Sequence, residues 1–210
     1  MIPTDFAIVL GRQFGAGGRK LGHLLSERLG ASYYDKELLC RAAERYGFRP
    51  GIFDRADERR PSLLQSLLCF NFESAAGSYS TTAMGASELY QAQSHVIAEL
   101  AKEGPCIFVG RTADYVLRDH KCLISVFLHA DEDTRASSII GRGDCSTERE
   151  AIEMARRNDR LRQDYYTYFT GRQWGVASNY DLSLNMGRIT TETAADIIEQ
   201  LLREYARKAK

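Results

Sequence analysis

The chain has 210 residues, 44% of them apolar and 27% charged, and its 28 lysines and arginines balance its 28 acidic residues. This length and apolar content suit one globular domain, 1–210, and the balanced charge provides no global attraction for nucleic acid or a membrane surface. The five cysteines are dispersed, and neither a signal-peptide pattern nor a membrane-spanning apolar run is present, so we expect a cytoplasmic protein with reduced thiols.

Short apolar runs alternate with helical patterns along the chain. Residues 6–10 predict a strand, leucines at helical spacing predict a helix that Gly30 ends, and residues 32–34 predict a second strand. Further helices are predicted over 36–46, roughly 61–72, 89–102, parts of 130–166 and 191–206, and further strands over 106–109, 122–128 and 180–184. This order predicts an α/β fold with three layers, α/β/α, in which a parallel sheet of five strands lies between two layers of helices.

The periodic pattern weakens over residues 48–85, where prolines, glycines and a Ser/Thr cluster interrupt it. We interpret this stretch as an insertion over the carboxyl edge of the sheet, not as an independent domain. Residues 131–164 are helical and strongly charged; Asp131 is predicted to cap one helix, and Thr147 with Glu150 to form a capping box for the next.

A glycine-rich stretch separates the first strand from the first helix and reads Gly15-Ala16-Gly17-Gly18-Arg19-Lys20. Glycines let the backbone curl so that N–H groups point at an anion beside the positive end of a helix dipole. The alternative is an ordinary tight turn, but the placement between strand and helix favours a phosphate site.

The standard phosphate loop has a lysine after its last glycine and a hydroxyl that holds Mg²⁺. Gly18 stands in place of the lysine and Lys20 in place of the hydroxyl. Arg12, Arg19 or Lys20 could supply the missing cation, and no residue is an obvious substitute for the hydroxyl.

Polar residues also follow two other predicted strands. Asp35 ends the second strand, and Arg41 lies six residues further on, where it could grip an anion as a fork. Taken alone, this pair is better explained as a helix cap and a solvated arginine. Arg111 follows Gly110 directly after strand 106–109, at the edge where open parallel sheets bind ligands; its alternative is an ordinary surface arginine.

Arginines alternate with acidic residues through 131–164. One interpretation is a solvated helix face with i,i+4 ion pairs. The other is a mobile flap whose arginines close over phosphates, because phosphoryl transfer depends mainly on positioned positive charge. The aromatic residues over 165–174 favour core packing over base stacking, and the four histidines show no metal-ligand spacing.

Taken together, these segments resemble the cytidylate kinase family. The loop is similar to the family's Gly-Ala-Gly-Lys-Gly-Thr, and Asp35 and Arg41 keep the spacing of its Asp-Ser/Thr-Gly-x-x-Tyr-Arg. Arg111 matches the arginine of its Gly-Arg-Asp, and Asp159 and Arg162 match its Asp-x-x-Arg.

A divergent, cytidylate kinase-like branch of that family is more similar still. Its characteristic strings include Gly-Arg-Gln-Phe-Gly-x-Gly-Gly-Arg, Tyr-Asp-Lys-Glu-Leu and the later pairs Tyr165-Tyr166, Thr170-Gly171, Trp174-Gly175 and Tyr180-Asp181. Lys36 and Thr112 depart from the main family pattern on the acceptor side.

The resemblance implies a P-loop kinase fold, with 48–85 as a helical acceptor-side insertion and 131–164 as an arginine-rich lid. It implies ATP-dependent phosphoryl transfer to a nucleoside monophosphate, CMP or dCMP, with ATP and Mg²⁺ as cofactors. The implied roles are ATP binding by Arg12, Gln13, Gly15, Ala16, Gly17, Gly18, Arg19 and Lys20, acceptor binding by Asp35, Arg41, Arg111, Asp159 and Arg162, and catalytic charge from Arg19, Lys20, Arg156 and Arg157.

Two other functions stay open on the same residues. Lys36 and Thr112 also fit a kinase that phosphorylates a different small molecule. The missing loop lysine also fits a catalytically inactive, nucleotide-binding regulatory module.

Overall fold

The computed structural model describes residues 2–35 and 86–208. Within those ranges the strands are β1 Ala7–Arg12, β2 Ser32–Tyr34, β3 Cys106–Phe108, β4 Leu123–His129 and β5 Leu182–Asn185. They pair in parallel and form one sheet in the spatial order β2-β3-β1-β4-β5. The predicted parallel sheet of five strands is therefore confirmed.

The helices of the described ranges are α1 Gly18–Leu29, α2 Ala86–Lys102, α3 Ala113–Val116, α4 Glu132–Gly141, α5 Glu148–Thr170, the 3-10 helix Ala177–Asn179 and α6 Thr191–Lys208. Three of the predicted helix ends are confirmed. Gly30 ends α1 in a left-handed conformation, the Asp131 side chain accepts the N–H of Thr134, and Thr147 and Glu150 form the capping box of α5. None of these described helices is both long enough and apolar enough to cross a membrane.

The apolar core lies on both faces of the sheet. On one face, Leu21 of α1 and Ile198 of α6 share a cluster with Ile8 of β1. On the other face, Ile97 of α2 shares a cluster with Val9 of β1. Successive residues of β1 are therefore buried on opposite faces, as the continuous apolar run predicts, and the helices on either side complete three layers.

The chain builds the sheet outward in opposite directions on the two sides of β1. This switch point determines where the site lies. β1 pairs with β3 on one side and with β4 on the other, while the chain leaves β1 through α1 towards β2. Ligands of open parallel sheets bind beyond the carboxyl ends of the strands at such a switch point. The loop after β1, the turn after β3 and the start of α4 after β4 all lie at this edge.

Element boundaries differ slightly from the prediction. The last strand begins at Leu182, two residues later than expected, because the ring of Tyr180 packs against Phe127 and the Asp181 carboxylate accepts hydrogen bonds from the N–H and hydroxyl of Ser125. The helices predicted over 36–46 and 61–72 and the insertion 48–85 lie outside the described residues. The assignment of 1–210 to one domain stays a prediction.

Candidate active site

The loop between β1 and α1 has the backbone of an anion cradle. Gly15 and Gly17 have φ angles of 85° and 80°, a left-handed conformation that favours glycine. A Cβ on Gly15 would lie 2.8 Å from the carbonyl oxygen of Arg135, so glycine also allows α4 to pack closely on the loop. The first turn of α1 contains no acidic side chain that could compete for its N–H groups. These N–H groups are therefore suited to a phosphate.

Arg12, the last residue of β1, runs alongside this loop. A Cβ on Gly18 would lie 3.0 Å from the Cγ of Arg12, so the arginine stem occupies the space beside the first residue of α1. The guanidinium reaches the end of β3, where a Cβ on Gly110 would collide with it. Burial and, next, the charge of Arg111 lower the pKa of Arg12 to about 10. Arg12 is still protonated at neutral pH, in a region where positive charge is in excess.

The two basic residues that follow the glycines point elsewhere. The Arg19 side chain is 64% exposed, and its Nε lies 3.8 Å from a carboxylate oxygen of Asp35. Lys20 is exposed on α1. Hydrogen bonds from the backbone and Thr190 lower the pKa of Glu192, and the charge of Lys20 adds a smaller lowering, which places Lys20 towards α6.

Three consecutive residues after β3 have left-handed backbone conformations. Gly110, Arg111 and Thr112 have φ angles of 80°, 62° and 54°. In β-branched Thr112 this conformation costs about 1–3 kcal/mol. The buried Thr112 hydroxyl donates a hydrogen bond to the carbonyl oxygen of Arg111 at 2.6 Å, and Nε2 of Gln93 donates to the same oxygen at 3.3 Å. These contacts hold the strained turn and fix Arg111 at the carboxyl edge.

Asp159 of α5 connects the two helices of the predicted lid, α4 and α5, to the loop. We call these two the lid helices. Its Oδ1 accepts the N–H of Phe14 at 2.7 Å, and its Oδ2 forms an ion pair of 2.6 Å with Nη1 of Arg135. Burial raises the pKa of Asp159, while the Phe14 amide and nearby arginines act against that rise. Both carboxylate oxygens have protein partners, so Asp159 supports the loop; the acceptor contact implied for it stays a prediction.

Arg162, one helical turn after Asp159, lies over the same loop. Its side chain is 11% exposed, and its Nη1 donates a hydrogen bond to the carbonyl oxygen of Arg12 at 3.2 Å. Burial first, and then the charge of Arg12, hold the pKa of Arg162 well below its usual value, and Arg111 contributes in the same direction. Asp159, whose Oδ1 lies 3.5 Å from Nη1 of Arg162, acts against this lowering. We call the three guanidinium groups of Arg12, Arg111 and Arg162 the arginine cluster.

The two lid arginines proposed to act in catalysis lie on the surface of α5. Nε and Nη2 of Arg156 donate to the two carboxylate oxygens of Glu132 at 2.9 and 2.8 Å. Arg157 is exposed. Their roles stay predictions; in this structure the lid helices pack on the loop through Arg135 and Gly15, whereas the flap interpretation assumed a mobile segment.

Three further predicted residues have distinct placements. Oε1 of Gln13 accepts the N–H of Ala130 at 3.1 Å and so joins the loop to the end of β4. Ala16 is 3% exposed and belongs to the core cluster beneath the loop. Arg41 lies outside the described residues.

Sequence reasoning counted Arg135 only among the arginines of 131–164 and gave Phe14 no individual role. The Phe14 ring lies below two guanidinium groups, with the Cζ atoms of Arg142 and Arg162 at 5.2 and 5.3 Å from its centroid. A usable signal existed for Arg135, because it shares the buried face of α4 with Ala136 and Ile139. An arginine on an apolar face is expected to have a buried partner, here Asp159.

The metal-ligating side chains of the described residues do not gather into a cage for Mg²⁺. No group of three or more His, Cys, Asp or Glu side chains in 2–35 and 86–208 could hold a metal ion. Lys20 stands where the pattern Gly-Ala-Gly-Lys-Gly-Thr has its threonine, and the Asp131 carboxylate is engaged in capping α4. A magnesium ion at this loop would therefore need ligands other than a cluster of these side chains.

Solved structures share this architecture. An uncharacterized protein from Eubacterium ventriosum matches with a TM-score of 0.72 and 23% identity, over 95% of this chain and 99% of that one. A shikimate kinase from Bacteroides thetaiotaomicron matches with a TM-score of 0.53 and 13% identity, over 94% of this chain and 98% of that one. A shikimate kinase from Acinetobacter baumannii in complex with shikimate has a TM-score of 0.51 and 15% identity, over 96% and 94%. The fold is that of the P-loop kinases.

The family assignment comes from the sequence itself. The cytidylate kinase-like family matches residues 7–188, and the chain belongs to this family. The resemblance inferred from the separate motifs is therefore confirmed over most of the chain. A comparison with curated proteins found no match.

Proposed function

We propose that this protein transfers the γ-phosphoryl group of ATP to a nucleoside monophosphate, with CMP or dCMP as the acceptor. The observation that carries the proposal is the arginine cluster, three guanidinium groups held together at the switch point beside a phosphate-type loop. The repulsion among these groups is offset in part by Asp159, whose Oδ1 lies 3.5 Å from Nη1 of Arg162, and a bound anion would offset more of it. Phosphate oxygens match guanidinium groups as bidentate acceptors, so a phosphorylated ligand is the natural occupant.

The donor half of the site is the glycine loop with the first turn of α1. Its N–H groups would hold the phosphates of ATP, and Mg²⁺ would enter with ATP, coordinated by phosphate oxygens and water. The acceptor half is the end of β2 and β3, where Asp35 and Arg111 lie. Arg111 would hold the monophosphate, and Asp35, with Asp159 and Arg162, is expected to contact the rest of the acceptor.

The reaction needs little covalent help from the protein. A phosphate oxygen of the acceptor forms a bond to the γ-phosphorus, the bond from that phosphorus to the β,γ-bridging oxygen breaks, and ADP leaves with the electron pair. Catalysis then consists of alignment and neutralisation of charge on the transferred group. The positive charges at this edge of the sheet are suited to both tasks.

The test is ADP formation by the purified chain with MgATP and each nucleoside monophosphate in turn. We expect stimulation by CMP or dCMP above the other nucleotides. Stimulation only by a non-nucleotide acceptor would favour the second function, a kinase of another small molecule. ATP binding without any acceptor-dependent turnover would favour the inactive module.

A pair of variants tests the acceptor side. We predict that Arg111→Ala raises the KM for the monophosphate about tenfold or more, because a charge-assisted hydrogen bond contributes roughly 1.5–3 kcal/mol. Arg118→Ala, which removes an exposed arginine bonded to the carbonyl oxygen of Tyr115, is the matched control and should leave KM unchanged. Equal KM values for Arg111→Ala and the wild type would contradict the assignment of Arg111.

A further inference from the structure

Two positions of the phosphate loop have exchanged residue types. The standard spacing is glycine, four residues, glycine and lysine. Measured back from Gly17, the first glycine falls on Arg12, and the lysine falls on Gly18. An arginine thus occupies the glycine position and a glycine occupies the lysine position.

The structure brings these two positions into contact. A Cβ on Gly18 would lie 3.0 Å from Cγ and 3.4 Å from Cβ of Arg12. Any side chain at position 18 would therefore compete with the stem of Arg12 for the same space. The glycine at position 18 leaves that space to Arg12.

The Arg12 guanidinium lies between the two halves of the site. Its Nη1 rests against Gly110 at the end of β3, and the charges of Arg111, Arg19 and Asp35 all act on its pKa. The carbonyl oxygen of Arg12 accepts a hydrogen bond from Nη1 of Arg162. The side chain therefore extends from the donor loop to the acceptor end of the sheet.

The other two basic residues of the loop have different surroundings. Arg19 is mostly exposed and interacts with Asp35, and Lys20 is exposed on the side of α6. The stem of Arg12, by contrast, packs beside Gly18. Of Arg12, Arg19 and Lys20, Arg12 is therefore the residue whose side chain packs against the glycine loop.

We propose that Arg12 supplies the positive charge that the phosphate-loop lysine supplies elsewhere, acting on the transferred phosphoryl group from the opposite end of the loop. This inference rests on the proposed function and names the residue that replaces the lysine. It also explains the glycine at position 18 as a requirement of the exchange, not as a loss of function.

The experiment exchanges the two residues in the full-length chain. Arg12→Gly, Gly18→Lys and the double variant R12G/G18K are compared with the wild type and with Arg203→Ala, a control that removes an exposed arginine of α6. Turnover with MgATP and CMP is measured, and calorimetry gives the Kd values for ATP and ADP. Thermal unfolding without ligand reports whether each variant is folded.

We expect Arg12→Gly to lower kcat about 100-fold or more, which is the effect of removing one preorganised donor. We also expect it to weaken the binding of ATP more than the binding of ADP. Gly18→Lys alone should not gain activity, because the new side chain meets the Arg12 stem. The double variant should recover at least a tenth of wild-type turnover and the ATP preference over ADP.

Folded Arg12→Gly with wild-type turnover and wild-type Kd for ATP would overturn the inference while leaving the proposed function intact. A double variant no better than Arg12→Gly would overturn it too. If no acceptor supports turnover in the wild type, the proposed function fails, and the ratio of ATP to ADP Kd values in Arg12→Gly still decides the inference.

Discussion

At the residue scale, Asp114 of α3 is a buried carboxyl group outside the arginine cluster. It is 8% exposed and accepts a hydrogen bond from the Tyr166 hydroxyl at 2.7 Å. Burial raises its pKa above the ordinary 3.8, and the Tyr166 hydrogen bond offsets this only partly. The folded protein thus keeps this proton to higher pH than the unfolded chain does. The free energy of unfolding consequently falls as the pH rises from the unfolded pKa to the folded pKa.

Asp114→Asn should remove this pH dependence, because the amide does not titrate and its oxygen still accepts the Tyr166 hydrogen bond. We predict that urea unfolding at a series of pH values shows the free energy of unfolding of the variant rising relative to that of the wild type as the pH rises through that interval. Asp119→Asn, whose parent side chain is 87% exposed, is the control and should follow the wild type. If the free energy of unfolding of the variant fell relative to that of the wild type over the same interval, the assignment would be refuted.

At the element scale, α4 and α5 act as a docked unit because Asp159 and Arg135 join them to the loop. The two side chains are 15% and 6% exposed, so the ion pair is largely shielded from water. We predict that Asp159→Asn lowers the free energy of unfolding by about 3 kcal/mol, since it leaves the Arg135 charge buried without its partner. Denaturant unfolding in the absence of nucleotide is the measurement.

The control for this prediction is Asp164→Asn, which removes an exposed carboxylate from the same helix and should change stability by less than about 0.5 kcal/mol. If Asp159 served only to bind the acceptor, its variant would match the wild type in stability and differ only in KM. That result would contradict the tie between the lid helices and the loop.

The elements of this chain were easier to predict than its site. Hydrophobic periodicity and capping residues are local, so β1, α1 and the capping box at Thr147 could be predicted from neighbouring residues alone. The arrangement of Arg12 against Gly18 and Gly110 depends on three segments meeting at one sheet edge. Local patterns carry no information about which side chain occupies the shared space, and the sequence therefore favoured Arg19 and Lys20.

The partners of the charged residues could not be predicted from local sequence patterns either. Asp159 and Arg162 matched a family spacing, yet the structure shows that they also bond to the loop residues Phe14 and Arg12, which lie far earlier along the chain. Burial decides the electrostatics of this region, and burial follows from tertiary packing. The family motif located the residues, and the fold determined what they touch.

At the scale of the whole molecule, the fold brings the glycine loop and the arginine cluster to one switch point, and we propose that together they hold a triphosphate donor and a phosphorylated acceptor. The most direct test is identification of the product formed from MgATP and CMP by chromatography and mass spectrometry. We expect equimolar ADP and CDP, with the CDP signal strongly reduced in Arg111→Ala. Unchanged CMP, together with no conversion of dCMP or any other nucleoside monophosphate at saturating ATP, would contradict the proposed function.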